Sequence, residues 1–136
     1  MSDLAWMVML PGLPHRLEHG DDGVAPLRAL LALGGVLEGE RLVGRGTVEE
    51  ALAHAARHVE GLGVAVAIGP AEAWLDGMPA GLGGHRLRRA VQVARVGEVM
   101  ALPGTGDVPA GVGRFDAPAA LTEAVGCRLE VLKDYR

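Results

Sequence analysis

With 136 residues, 49% of them apolar, the chain is long enough for one real core and too short for two, so a single domain over residues 1–136 is expected, and the composition argues against a disordered chain. A formal charge of −4 argues against a protein whose task is to neutralise nucleic-acid phosphates, and no run of ~18 apolar residues is present to cross a membrane. Met1-Ser2-Asp3-Leu4 lacks the basic region and long apolar stretch of a signal peptide, and Cys127 is the single cysteine; together these predict a cytoplasmic protein without an internal disulfide.

Ala5–Leu10 is a short, continuous apolar run of bulky side chains, which predicts a buried central strand. After a polar link containing Gly20-Asp21-Asp22-Gly23, Pro26 suits the first turn of a helix with Leu27, Leu30 and Leu31 on one side, closed by Gly34-Gly35. Val36–Val43 alternates around Glu38-Gly39-Glu40, as a hairpin or a bent strand does. Thr47 then opens the clearest helix: its hydroxyl caps, and Glu50 three residues on completes the box. Val48, Leu52, Ala55, Val59 and Leu62 keep helical spacing, with Glu49, Arg57 and Glu60 outside.

Val64–Ile68 reads as a second buried strand, entered from Gly63, with Ala71–Leu75 as its hairpin partner. Beyond a flexible stretch at Pro79–Gly84, a helix is expected near His85–Arg95, with Leu87, Val91 and Ala94 inward and Arg88 and Arg95 facing solvent. Val96–Leu102 reads as a strand, Pro103–Gly113 as a loop, and Pro118 opens a short helix closed by Gly126. Arg128–Lys133 alternates as a final strand. Interleaved strands and helices predict one sheet covered by helices. The composition favours Ala, Gly, Leu, Val and Arg, with Lys133 the only lysine, Ile68 the only isoleucine and no asparagine, a bias that GC-rich bacterial genomes encode.

Few residues suggest chemistry. Leu82-Gly83-Gly84-His85-Arg86-Leu87-Arg88-Arg89 offers free backbone N–H groups and cations to a phosphate at a helix start; the plainer reading is a flexible loop before a solvated basic face. His15 and His19, like His54 and His58, are four apart and able to chelate zinc from one helical face, but they lack further ligands and read better as surface histidines. Glu38, Glu40, Glu72 and Asp76 are the acids available to a shared acid–base site. Cys127 has no evident base partner and reads as a structural thiol, and Trp6 and Trp74 read as core, with Trp74 also suiting an interface.

Three phrases carry a resemblance: Gly34-Gly35-Val36-Leu37-Glu38-Gly39-Glu40 followed by Thr47–Leu52; Val64-Ala65-Val66-Ala67-Ile68 followed by Glu72; and Arg95-Val96-Gly97-Glu98-Val99-Met100. In this order, with the elements between them, they resemble the catalytic domain of class III nucleotide (adenylate/guanylate) cyclases. The resemblance implies an α+β, ferredoxin-like fold with a mostly antiparallel sheet covered by helices. It also implies two carboxylates on neighbouring strands that hold two metal ions. Met9 falls at the first of those positions and Glu40 near the second, while the base-reading lysine would lie near Val36. The asparagine–arginine pair of the catalytic helix maps either to Arg86 and Ala90 or to His85 and Arg89, and both registers lose the asparagine.

The departures imply a catalytically silent cyclase-like domain, with no catalytic residue, metal or cofactor, acting as a regulatory or homodimerisation module. Head-to-tail dimers in that family are the source of the homodimer expectation. Glu40, Gly83, Gly84, His85, Arg86 and Arg89 remain as candidate ligand-binding residues for a nucleotide or phosphate. Two alternatives stand beside it: a residual metal-dependent purine nucleotide cyclase using Glu40 with Arg86 or Arg89, and an unrelated ferredoxin-like small-ligand sensor. Two helices between the first two strands would favour the cyclase relationship over the sensor.

Overall fold

The apolar run near the start forms β1 (Leu4–Met9), which lies inside the sheet with β3 (Arg41–Gly46) on one side and β6 (Ala65–Pro70) on the other, both antiparallel to it. A strand covered on both faces has no use for alternation, and five of its six residues are fully buried. The computed structural model describes residues 4–10, 12–18, 35–56, 58–59, 62–70, 74–75 and 78–136. The remaining elements, in chain order, are α1 (Leu13–Glu18), β2 (Val36–Glu38), β3, α2 (Val48–Ala55), β4 (His58–Val59), β5 (Leu62–Gly63), β6, β7 (Trp74–Leu75), β8 (Met78–Pro79), α3 (Gly81–Val93), β9 (Val99–Ala101), β10 (Val112–Asp116), α4 (Ala119–Val125) and β11 (Glu130–Asp134).

The architecture is α+β. Seven strands form one mixed sheet in the order β10-β11-β9-β6-β1-β3-β2. Within it, β6-β1-β3-β2 is antiparallel throughout, an order compatible with a ferredoxin-like βαββαβ unit. Among the described residues the one parallel pair is β6 with β9, joined by α3 as the crossover. Alternate residues of β1 feed two cores. Leu4, Trp6 and Val8 face Leu42, Leu52 and Ile68 on the α2 side, while Ala5 and Met7 face Val43, Leu87 and Val91 on the α3 side.

Several local expectations hold. Val36–Val43 is a hairpin, turning at Gly39 with φ +59°. Thr47 Oγ1 accepts the Glu50 amide at 3.2 Å, as a helix cap should. Gly126 ends α4 in the left-handed conformation, φ +89°, its amide on the Thr122 carbonyl.

Others are corrected. The helix opened by Thr47 stops at Ala55 instead of running through Val59 and Leu62; the sequence His58-Val59-Glu60-Gly61-Leu62-Gly63 is poor in helix formers, and its described residues form the β4–β5 pair. Trp74-Leu75 pairs with Met78-Pro79, not with β6, whose two sides are already taken by β1 and β9. α3 starts at Gly81, four residues before the expected position: Gly81 turns with φ +63°, and Gly84, buried, already donates its amide to Ala80. Val96-Gly97 is a turn, so β9 is only three residues long. Gly113 lies within a strand, where a Cβ would meet the Phe115 and Tyr135 rings at 2.5 and 2.8 Å. The helix expected after Pro26 lies outside the described residues, as does most of the link between β1 and β2 that was to separate the cyclase relationship from the sensor.

Candidate functional site

The C-terminal end of β1 and the β2–β3 turn converge at one corner of the sheet. Register places Met9 opposite Arg41 and Arg41 opposite Glu38, so these side chains form a row on the α3 side. α3 crosses the same face and brings Arg88 over the outer end of the row. Arg88 donates from Nε to Glu38 Oε1 at 2.8 Å and from Nη2 to Oε2 at 2.9 Å, a two-pronged charge-assisted pair. Arg41 Nε adds a third bond to Oε1 at 3.2 Å. Both Glu38 oxygens are therefore occupied, in a setting where its side chain is 19% and that of Arg88 30% exposed. The Arg88 hydrogen bond, helped by the charges of Arg88 and Arg41, holds the Glu38 carboxyl below its usual range against the opposing effect of burial.

Glu40 stands at the turn and serves the backbone. Its carbonyl accepts the Leu10 amide at 3.2 Å, and its Oε1 accepts the Gly12 amide at 3.1 Å, where the chain bends with φ +72°. The corner thus brings Met9, Glu38, Glu40, Arg41 and Arg88 together. Its donor set does not fit a pair of hard divalent cations. Such ions need several oxygen ligands, whereas a thioether is soft, two guanidiniums are repulsive, and the Glu38 oxygens are already bonded. Among the described residues no group of three or more His, Cys, Asp or Glu converges. Glu72 and Asp76 lie outside them.

The basic helix is built differently from the expected phosphate cradle. Gly83 and Gly84 lie inside the first turn of α3, and the Gly84 amide is consumed by the Ala80 carbonyl. His85 is exposed. Arg86 Nη2 donates to the Gly126 carbonyl at 3.0 Å and Arg89 Nε to the Ala124 carbonyl at 2.7 Å. These carbonyls end α4, where the helix dipole is negative and its last acceptors have no intrahelical donor. Both arginines therefore fasten α3 to α4. Arg86 also sits about 7.5 Å along the axis from Gly81, away from the open N–H groups. Glu40 lies at the other corner feature, the β2–β3 turn, so the six candidate ligand residues are not brought to one point by any described contact.

The histidine pairs do not form zinc sites on a helix. His54 is buried at the end of α2, 5.0 Å from the Trp6 ring in an edge-on arrangement, which corrects its reading as a surface residue; His58 is already in β4, past the end of that helix. His15 is exposed on α1, and His19 lies outside the described residues. Cys127 is half-buried, and burial pushes its thiol up, away from the thiolate a nucleophile needs, with Arg86 opposing.

Sequence reasoning missed Arg88 and Arg41. Arg88 was expected to face solvent, because helical spacing says which side of α3 a residue takes but not that Glu38, fifty positions away, waits at the stripe's margin. No protein-family model matches the chain, and no curated protein matches it. Among the described residues no helix is long and apolar enough to cross a membrane.

Proposed function

We propose that this chain is a degenerate relative of class III nucleotide cyclase domains, catalytically silent, which acts in the cytoplasm as a homodimerisation or regulatory module. One observation carries the reading: of the two positions where that relationship requires acids to hold metal ions, the first is Met9 with Arg41 opposite it, Glu40 near the second accepts the Gly12 amide, and the neighbouring Glu38 is clamped by Arg88. An ion pair within the protein takes the place of a metal centre. In-line attack on an α-phosphate would find no charge stabilisation there, since the metals that supply it have no ligand set.

The strand order β6-β1-β3-β2, followed by a helix and a parallel strand, supports the relationship. The homodimer is supported by the sheet edge. Among the described residues no strand pairs with the outer side of β2, and Val36 and Leu37 on it are each 39% exposed. Residual phosphate or nucleotide binding would rest on Glu40, His85 and the amides opening α3, with Arg86 and Arg89 drawn away to α4.

With Mn²⁺ and ATP or GTP, the purified chain is expected to yield no cyclic nucleotide above a Glu40→Ala control in a chromatographic product assay. Cyclic product from the native chain that disappears in Glu40→Ala would establish the residual enzyme instead.

A further inference from the structure

The geometry points to a binding site for a small monocarboxylate with a short aliphatic tail, set between the start of α4 and the β10-β11-β9 end of the sheet. A cavity of about 110 Å³ opens there, far from the β1–β2–β3 corner in sheet order. Its floor is one cross-strand row, Phe115 opposite Val131 and Val131 opposite Met100, and Leu121 of α4 closes it from above. An apolar cavity of roughly 150 Å³ admits benzene, so this volume suits a tail of about four or five carbons.

The rim supplies the headgroup preference. Glu98 and Asp116 line the cavity, but each already has a cation: Lys133 Nζ lies 3.4 Å from Glu98 Oε1, and Arg128 Nη2 lies 2.9 Å from Asp116 Oδ1. The Arg95 side chain, exposed on the rim, makes no hydrogen bond or ion pair among the described residues, while its carbonyl accepts the Glu98 amide. Lys133 keeps further N–H donors, and its ammonium is held over the cavity wall, 5.6 Å from the centre of the Phe115 ring. The lining itself is balanced, Arg95 and Lys133 against Glu98 and Asp116, but Arg128 neutralises Asp116 from beside the cavity, which leaves the Arg95 guanidinium without an acid. An ammonium would meet carboxylates already neutralised, whereas a carboxylate would meet Arg95 and the spare Lys133 donors while its tail covers Met100, Val131 and Leu121. Nothing in this site depends on the cyclase relationship.

The test is an NMR titration of the full chain with isovalerate, with isovaleramide as the neutral twin of the same shape. Saturable shifts are expected at Leu121 and Val131, with isovaleramide binding at least about fivefold more weakly. Arg95→Gln should weaken isovalerate by about fivefold, the scale of one charge-assisted hydrogen bond at a partly solvated rim. Leu121→Trp, which fills the cavity, should abolish the shifts. Should that variant lose its dispersed spectrum, the exposed Arg95→Gln decides by itself. Absence of saturable shifts, equal binding of acid and amide, or unchanged affinity in Arg95→Gln would each overturn the assignment.

Discussion

Replacing Trp6 by alanine should cost about 3–5 kcal/mol, the range for deleting a large buried aromatic, measured by urea unfolding. The indole is 4% exposed and lies across the neighbouring strand, where Gly44 and Gly46 leave room for it and His54 meets its edge. A Cβ at Gly44 would overlap the Trp6 ring, so Gly44→Ala should itself cost about 1–3 kcal/mol through overpacking. The two changes must be strongly non-additive: once the indole is gone, a methyl at position 44 enters the vacated space. The double variant is thus expected to be no less stable than Trp6→Ala alone. Full additivity would mean that the indole does not lie over β3. Trp6→Phe should be milder than alanine, because the indole Nε1–H has no partner among the described residues and phenylalanine removes it.

Arg88→Met is expected to destabilise the fold by about 1–2 kcal/mol at neutral pH, because it leaves a half-buried carboxylate with Arg41 alone. The pH dependence gives a sharper readout. The folded carboxyl of Glu38 lies below its ordinary value of 4.5, so it binds protons less readily folded than unfolded. Its contribution is fully present above that value and is lost as pH falls through the lowered one. Native protein should therefore lose stability more steeply than Glu38→Gln in acid, and Arg88→Met should shrink that difference. Paired unfolding curves at pH 7 and pH 3 measure it. If Arg88→Met leaves the acid-dependent difference intact, the clamp is not what stabilises this carboxylate.

What could be read from the sequence was local. β1 is a run of apolar side chains, the β2–β3 hairpin turns at a glycine, Thr47 announces a cap, and Gly126 announces a helix end; each signal sits within a few residues of its effect. The failures are non-local. Val59 and Leu62 fit a helical stripe, yet their backbones form the β4–β5 pair, and only the competition of a glycine-rich pairing with the helix decides it. Trp74 was assigned to β6 because adjacent segments often pair, but α3 brings β9 to that side of β6 instead. At the candidate site, Met9 and Glu40 were legible as positions, while the clamp on Glu38 was not. It joins an edge strand to a helix across fifty residues, and in sequence Arg88 looks like an ordinary solvated charge and Glu38 like one of four acids with no named cation. Arg86 and Arg89 looked like phosphate binders for the same reason: their acceptors are backbone carbonyls, which no residue type reveals.

The proposed role turns on self-association, and sedimentation velocity from micromolar to submillimolar concentration tests it most directly. A dimer should dominate the upper part of that range and dissociate on Leu37→Lys, which puts a charge on the open edge of β2. A monomer across the whole range would contradict the account.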